Sequence, residues 1–324
     1  NTWKPKKYTG TFGTNGFWLP MDGSAPIGQD QSGNGNDFTP VNFGGSVALD
    51  NPIASGALPI LNTTQGGTQA GVGVRTDVNA ANLVLALPLV GSKNDVSNQI
   101  NSGTTTKSIT AEGNTAGSSA QSNFYAGSYY FDGTGDYLHT PDSADYAMGT
   151  GDFTVEMWIN PAASQSGLLF AQANGSYYGW CNFYFDSGAL KLYTSSNGSS
   201  WNVSNVNFGT PPGNKWSHVA VTRSGSTFTT YLNGVIGGTA TNSDAQMDAT
   251  GTLQIGARNG TEFYTGYIQD VRIYKGVAKY GSGSVGDQAF IPASTNPDVL
   301  PDTPSGVSGS SKLTKITDGA VSFD

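Results

Sequence analysis

The feature that most limits how this chain can fold is a series of short segments in which apolar and polar residues alternate. In "DFTVEMWINP" the apolar side chains of residues 153–159 fall on one face of a strand, and the polar ones, with Trp158, fall on the other. The segments "SHVAVTRSG", "STFTTYLNGVIGGTA", "GTLQIGARNG" and "GYIQDVRIYKGV" continue the series. Asn233-Gly234 is a strong signal for a two-residue hairpin turn. The pattern from about residue 80 onward therefore predicts an antiparallel β-sandwich.

The amino-acid composition supports this fold class. The chain has 45 glycines, and 12% of its residues are charged. Glycine reaches the positive φ angles of tight turns, whereas surface helices need many charged side chains. The glutamates are three: Glu112, Glu156 and Glu262. We therefore expect an all-β protein with almost no helix.

The two ends of the chain differ from this central part. Residues 1–79 lack periodicity but carry isolated aromatic side chains, so we predict an extended, mostly irregular N-terminal arm that packs its aromatics against a partner. Residues 295–317 are rich in Pro, Ser and Gly, which is typical of a linker. Residues 318–324, "DGAVSFD", resemble "AGSYYFD" at residues 126–132, although so short a match also arises by chance. We expect them to begin a further, truncated repeat of a longer tandem protein.

Charge, cysteine count and hydropathy exclude several classes of protein. A net charge of −8 disfavours nucleic acid, which needs clustered basic residues. The single cysteine, Cys181, excludes an intrachain disulfide framework and is expected to be a small buried side chain. No apolar run approaches the ~20 residues of a membrane span. The apolar run "LVLALPLV" at residues 83–90 is predicted to be a strand.

The run from "GSYYFDGTGDYLHTPDSADYAMGTGDFTVEMWINP" through "KWSHVAVTRSGSTFTTYLNGV" to "LQIGARNGTEFYTGYIQDVRIYKGVAKY" resembles the laminin-G-like, concanavalin A-like jelly-roll family. It is similar in particular to the domains of bacteriophage tail-fibre and virion structural proteins of the marine phage type. The resemblance covers roughly residues 82–294, and residues 80–294 are assigned to this domain. A shorter segment of the arm, "GTFGTNGFWLPMDGSAPIGQDQSGNGNDFTPVNFGGSV", is also similar to phage sequences.

Enzymatic activity is not expected. The fold also occurs in retaining glycosidases, which need two adjacent carboxylates, but "TVEMWINP" carries a single one. The two histidines, His139 and His218, lie in or beside predicted strands and are expected to be packing or surface residues. No catalytic residues are therefore assigned.

Calcium is a candidate cofactor, and otherwise none is expected. The resemblance implies a calcium site at Asp132 and Asp136 in "FDGTGDYL" and at Asp270 near the last strand. The family commonly has two acidic residues at this last position, whereas here Gln269 precedes Asp270. The alternative is that these aspartates cap turns through their side chains.

Carbohydrate is a candidate ligand, because sugars bind exposed aromatic faces flanked by amides and carboxylates. Aromatic residues lie beside asparagines in the predicted loops "NGSYYGW", "NGSSWN" and "NGTEFY". The alternative is that these aromatics pack beneath their loops. The predicted carbohydrate-binding residues are Tyr177, Tyr178, Trp180, Trp201, Asn259 and Tyr264.

Together these features favour a non-enzymatic phage virion surface protein, a tail-fibre, head-fibre or capsid-decoration segment that displays a jelly roll for host attachment. The resemblance implies a homotrimer on the extracellular virion surface, which contacts other virion proteins through residues 1–79 and has host-surface glycan as a further candidate partner. Two alternatives remain, a glycan-binding lectin proper and a secreted bacterial adhesin with the same domain.

Overall fold

The computed structural model describes residues 8–19, 30–38, 74–75, 79–101, 103–123, 127–164, 166–175, 177–290, 292 and 304–305. Within these residues the protein is almost entirely β, so the predicted fold class is confirmed. Helix is confined there to one short turn of α-helix, α1 (Ser97–Ile100), and to 3-10 turns at Ala80–Asn82 and Ala144–Tyr146. None of the described helices is long and apolar enough to cross a membrane.

One sheet has seven antiparallel strands, numbered in chain order. They are β3 (Thr110–Glu112), β6 (Tyr137–Thr140), β8 (Leu168–Gln172), β9 (Asn182–Asp186), β10 (Ala189–Thr194), β11 (Val203–Gly209) and β15 (Leu253–Ile255). Their spatial order is β11-β10-β9-β8-β15-β6-β3.

The second sheet has eight strands and is also antiparallel. They are β2 (Leu83–Leu87), β4 (Ala116–Ser118), β5 (Ser128–Asp132), β7 (Phe153–Pro161), β12 (Ser217–Ser224), β13 (Thr227–Leu232), β14 (Val235–Thr241) and β16 (Thr265–Lys275). The order is β14-β13-β12-β7-β16-β5-β4, and β2 pairs with β16. The remaining pair, β1 (Val74–Arg75) with β17 (Pro304–Ser305), forms a separate two-stranded ladder.

The hydrophobic core lies between the two large sheets, as the alternating pattern predicts. In β7, Phe153, Val155, Met157 and Ile159 all belong to the main buried cluster. Cys181 is buried and free, as expected. Burial of large apolar side chains at about 25 cal/mol per Å² is the main stabilising term of such a sandwich.

The turn between β13 and β14 forms at the predicted dipeptide. Asn233 and Gly234 have φ angles of 52° and 78°, and Leu232 pairs directly with Val235. Two consecutive residues with positive φ are the requirement of a type I′ turn, whose twist matches that of the flanking strands.

The outer face of the eight-stranded sheet is covered by the segment 276–290 that follows β16. Tyr280 and Phe290 stack with ring centroids 3.5 Å apart and pack against Tyr231 of β13. Beneath this segment, Glu156 of β7 accepts a hydrogen bond from Lys279 at 2.7 Å. This cover explains why several strands of the sheet are buried on both faces.

In the N-terminal arm, residues 8–19 and 30–38 contain no helix or strand, and the two-residue strand β1 (Val74–Arg75) lies near the end of the arm. The Asp30 carboxylate organises residues 8–19 and 30–38 by accepting hydrogen bonds from the backbone N–H groups of Trp18, Ser32 and Asn36 and from the Ser32 hydroxyl. Desolvation raises the pKa of Asp30, but these hydrogen bonds outweigh it and lower the pKa to about 2. The predicted linker, apart from residues 304–305, and the predicted further repeat lie outside the described residues.

Candidate functional site

An aromatic cleft of about 340 Å³ opens on the outer face of the seven-stranded sheet. Five aromatic side chains line it, Tyr177, Tyr178, Tyr184, Tyr193 and Trp201. Three polar side chains complete the lining, Asn182, Arg258 and Glu262. The volume lies in the range typical of small-molecule sites.

Strand alternation explains how the sheet contributes to the cleft. In β9, Phe183 and Phe185 are buried in the core, so Tyr184 between them faces outward and is half-buried. In β10, Leu190 and Leu192 enter the core, and Tyr193 faces outward in the same way. Because successive strand residues point to opposite faces, two adjacent strands thus present two tyrosines on one surface.

Tyr177 is the most exposed ring of the cleft, at 66%, and it is held in place from two sides. Its carbonyl oxygen accepts hydrogen bonds from Asn182 Nδ2 and Arg258 Nη1, both at 3.0 Å. The Arg258 guanidinium also lies 4.6 Å from the centroid of the Tyr177 ring, a cation–π geometry. The exposed ring is therefore oriented before any ligand arrives.

Trp201 forms the opposite part of the aromatic lining. Its ring centroid lies 4.8 Å from that of Tyr178 and 5.3 Å from that of Tyr193. Tyr193 in turn lies 6.4 Å from Tyr184. These contacts join the four rings into one continuous aromatic surface.

The turn that carries Arg258 and Glu262 supplies the charged part of the cleft. The two side chains form an ion pair, and the backbone groups of Arg258 and Thr261 hydrogen-bond to each other across the turn. Asn259 and Glu262 have φ angles of 51° and 54°, which the turn imposes. Arg258 is 7% exposed, so this ion pair is partly shielded from water.

Asn182 lies at the base of the cleft and is fully buried. Its amide nitrogen holds the carbonyl of Tyr177, while its Oδ1 atom has no hydrogen-bond partner within the described part of the chain. A buried acceptor without a hydrogen bond lowers the stability of the fold. Its position beneath Tyr177 makes Asn182 a positioning residue for that ring.

Three of the six residues predicted to bind carbohydrate, Tyr177, Tyr178 and Trp201, come together in this cleft. Asn259 is exposed in the adjoining turn, next to Arg258. Sequence reasoning did not identify Asn182, Tyr184, Tyr193, Arg258 and Glu262. The alternating runs "NFYF" and "LKLY" contain the signal for the two tyrosines, because each places an aromatic ring opposite core residues.

The expectation that Trp180 and Tyr264 present their rings to solvent is wrong. Trp180 is fully buried, donates its indole N–H to Gln172 Oε1 at 2.7 Å and packs edge-on against Phe153. Tyr264 is 1% exposed and stacks on Phe185 in the core. Both rings pack beneath their loops because the sandwich needs large apolar side chains to fill the space between its sheets.

Two of the three predicted calcium ligands lie together at the turn between β5 and β6. Asp136 accepts hydrogen bonds from the backbone N–H groups of Asn114 and Asp132, and Asp132 accepts one from the N–H of Thr134. The Asn114 side-chain amide faces both carboxylates. With its nitrogen toward them, it donates to Asp136 at 2.6 Å and to Asp132 at 3.2 Å.

Asp270 lies elsewhere. Asp132 pairs with Thr265 at the start of β16, and Asp270 follows five residues later, roughly 16 Å away along an extended strand. Asp270 is buried and accepts two hydrogen bonds from Arg272, at 2.7 and 2.5 Å. Burial raises its pKa despite this partner. In the described residues no group of three or more His, Cys, Asp or Glu converges on a metal position, so Asp270 does not join the other two.

The residues at the β5–β6 turn fit a calcium ion in part. Asp132, Asp136 and the Asn114 amide oxygen, when turned inward, are hard oxygen ligands of the kind that calcium takes. These three side chains supply fewer than the six to eight oxygens of a complete site. Backbone carbonyls or water would have to supply the others.

Residues 132–279 match the laminin G family model described as the concanavalin A-like lectin/glucanases superfamily. The resemblance to the laminin-G-like, concanavalin A-like jelly-roll family is thus confirmed over this segment, and the likeness to bacteriophage proteins stays a prediction. No curated protein matches the sequence.

Solved structures similar to this chain include domain 4 of AbnA, a GH43 extracellular arabinanase from Geobacillus stearothermophilus, in complex with arabinotriose. That likeness has 18% identity and a TM-score of 0.47 over 60% of this chain and 92% of that one. The binding domain of Paraclostridial Mosquitocidal Protein 1 has 13% identity and a TM-score of 0.49 over 62% and 50%. A third structure is of botulinum neurotoxin type C, whose cell entry is described as dependent on interaction with two ganglioside molecules. It has 16% identity and a TM-score of 0.49 over 62% of this chain and 50% of that one. This chain thus spans half the length of the last two.

Proposed function

We propose that the laminin G-like domain is a glycan-binding module and that the sugar is held in the aromatic cleft. The observation that carries this proposal is Tyr177, an exposed residue whose backbone carbonyl is held by two hydrogen bonds and whose ring contacts the guanidinium of Arg258. The rings of Tyr178, Trp201, Tyr193 and Tyr184 continue the aromatic surface beside it, and a contiguous aromatic surface of this kind is typical of a ligand-binding groove.

The chemistry of the cleft suits a saccharide. The C–H face of a pyranose or furanose ring is apolar and stacks on aromatic rings such as Tyr177 and Trp201. Its hydroxyl groups need nearby donors and acceptors, which Glu262 and the tyrosine hydroxyls supply. Because Tyr177 is already oriented, little side-chain entropy is lost on binding.

A glycan array probed with the purified chain tests the proposal, followed by calorimetric titration of the glycans that bind. Tyr177→Ala and Trp201→Ala are expected to weaken binding about tenfold or more with only a small change in the melting temperature. Tyr130→Ala is the matched control, because Tyr130 is an exposed aromatic on the outer face of the other sheet, paired with Tyr267. Absence of binding, or equal losses in all three variants, contradicts the proposal.

We further propose that the module is not an enzyme. Among the described residues that line the cleft, Glu262 is the one carboxylate, and it is ion-paired with Arg258. Glycoside hydrolysis by the usual mechanism needs two carboxyl groups across the scissile bond, about 5–9.5 Å apart. Glycans that bind should therefore be recovered intact by chromatography after long incubation, and release of shorter products contradicts this.

The wider setting that we propose is extracellular display on a bacteriophage virion, as a fibre or capsid-decoration segment for host attachment. Its support is the sequence resemblance, with residues 1–79 as the part that contacts other virion proteins. If this is correct, deleting residues 1–50 should prevent incorporation into the particle, while Trp201→Ala should leave incorporation intact. A secreted bacterial adhesin is the alternative, and a wall-anchoring segment in the full-length protein would favour it.

A further inference from the structure

The basic side chain of the cleft is already occupied. Arg258 Nη2 forms the ion pair with Glu262, Nη1 donates to the Tyr177 carbonyl, and the face of the guanidinium covers the Tyr177 ring. Arginine recognises a carboxylate best through two parallel N–H donors. Arg258 cannot offer that pair of donors to a ligand while it holds Glu262.

Neighbouring basic groups on the same sheet face are paired as well. Lys191 of β10 donates to Asp186 at 2.7 Å, and His139 of β6 lies 3.0 Å from Glu112. Among the described residues lining the cleft, Arg258 is the one cation. The local field therefore offers an anion no unpaired positive charge.

The negative charge of Glu262 also disfavours an anionic ligand. Its Oε2 atom takes the ion pair, and Oε1 accepts no hydrogen bond from the described part of the chain. A carboxylate oxygen in this state accepts hydrogen bonds from sugar hydroxyls. A ligand carboxylate at the same place would meet a like charge in a partly desolvated cleft.

We propose that the cleft selects uncharged saccharides and rejects those bearing a carboxylate, such as sialylated or uronic-acid glycans. This inference rests on the proposed glycan-binding function and narrows its ligand class. Glu262 is the specificity-determining residue, because its pairing with Arg258 removes the cation that an acidic sugar would need.

The test compares matched pairs of glycans. One pair is a galactose-terminated oligosaccharide with and without terminal sialic acid, and another is a neutral oligosaccharide and its uronic-acid counterpart. For every pair that gives measurable binding, the neutral member should bind about tenfold or more tightly. Equal or tighter binding of the acidic members overturns the inference and leaves the glycan-binding function standing. No binding by any member contradicts the function itself, and the inference with it.

Glu262→Gln tests the assigned residue. Freed from its partner, Arg258 can turn toward a ligand carboxylate, so the ratio of acidic to neutral affinity should rise several-fold. Asp287→Asn is the matched control, since it removes the same charge from the covering segment 276–290 on the other sheet, where the carboxylate accepts a hydrogen bond from the Ser284 N–H, and it should leave that ratio unchanged. An unchanged ratio in Glu262→Gln, or equal shifts in both variants, overturns the assignment to Glu262.

Ionic strength gives a second readout. Recognition of an uncharged sugar should be nearly independent of added sodium chloride, whereas recognition of an anion through Arg258 weakens as salt rises. In Glu262→Gln the newly gained affinity for the acidic glycan should fall with salt. Salt-sensitive binding of neutral glycans by the natural protein contradicts the inference.

Discussion

Trp180 and Trp201 occur in similar sequence contexts, "NGSYYGW" and "NGSSWN", yet their side chains have opposite fates. Trp180 fills the core against Phe153 and Phe170, while Trp201 faces the cleft beside Tyr178. At the scale of single residues, substituting Trp180 should therefore affect the stability of the fold, and substituting Trp201 should affect the proposed binding.

Trp180→Ala is expected to reduce the free energy of unfolding by about 3–5 kcal/mol, because it leaves a large cavity and an unpaired Gln172 Oε1. Urea unfolding followed by circular dichroism measures this. Trp201→Ala, whose ring is half-buried at the surface, should lose far less stability. Equal stability losses in the two variants would show that this division is wrong.

At the scale of elements, the covering segment 276–290 is attached to the eight-stranded sheet through a buried carboxylate. Glu156 of β7 contacts Lys279, Tyr280 and His218. Burial raises the pKa of Glu156, but the positive charge of Lys279 and the hydrogen bond with His218 outweigh it and hold the pKa well below 4.5. The charge of Glu156 therefore helps to hold the covering segment 276–290 against the sheet.

The stability of the protein should therefore depend on Glu156 in a defined pH window. A carboxyl with a lowered folded-state pKa contributes stability above its unfolded value of about 4.5, and this contribution is lost as pH falls through the folded value. Asp270, whose pKa is raised by burial, acts in the opposite sense, since ionising it above its usual 3.8 costs stability.

Glu156→Gln should cost about 3–5 kcal/mol at pH 7, because the half-buried ammonium group of Lys279 loses its ion pair with Glu156. The difference from the natural protein should shrink as the pH falls below about 4.5, because the unfolded chain then takes up a proton that the folded Glu156 still resists. Denaturant unfolding at pH 7 and at a pH below 4.5 measures this. Asp186→Asn, which breaks an exposed ion pair, is the control and should have little effect at either pH. A deficit that stays constant with pH would show that the charge of Glu156 is not its cause.

The β5–β6 turn is the second element with a testable role. If calcium binds at Asp132, Asp136 and Asn114, an excess of one hundred times the dissociation constant should stabilise the fold by about 2.7 kcal/mol, or roughly 5–10 °C in melting temperature. Asp136→Asn should abolish the shift, and magnesium serves as the control ion. A melting temperature that is the same in calcium and in chelator would leave these residues as hydrogen-bonding groups of the turn.

At the scale of the whole molecule, the sandwich carries the cleft, and attachment through the N-terminal arm stays a proposal. The cleft lies on the seven-stranded sheet, whereas the covering segment 276–290 packs on the eight-stranded sheet. The proposed glycan-binding face and the end of the covering segment are therefore on different sheets, which is compatible with the proposed display at a surface.

The proposed homotrimer is the prediction that belongs to this scale. Multi-angle light scattering of the full chain should give three times the chain mass, and deletion of residues 1–79 should give a monomer with unchanged glycan affinity. A full chain that remains monomeric at high concentration would contradict the trimer. A trimer that survives the deletion would place its interface in the sandwich.

The sequence by itself determined the all-β class, the strand faces and the hairpin at Asn233-Gly234, because these depend on local alternation and on backbone preferences of a few neighbouring residues. Only the tertiary structure decided which aromatics are exposed, since burial depends on what distant segments pack above each ring. It brought Tyr184 and Tyr193 beside Trp201, and it buried Trp180 and Tyr264. It also separated Asp270 from Asp132. Asp132 pairs with Thr265 of β16, and Asp270 lies five residues further along that strand, too far for the two carboxylates to bind one metal ion.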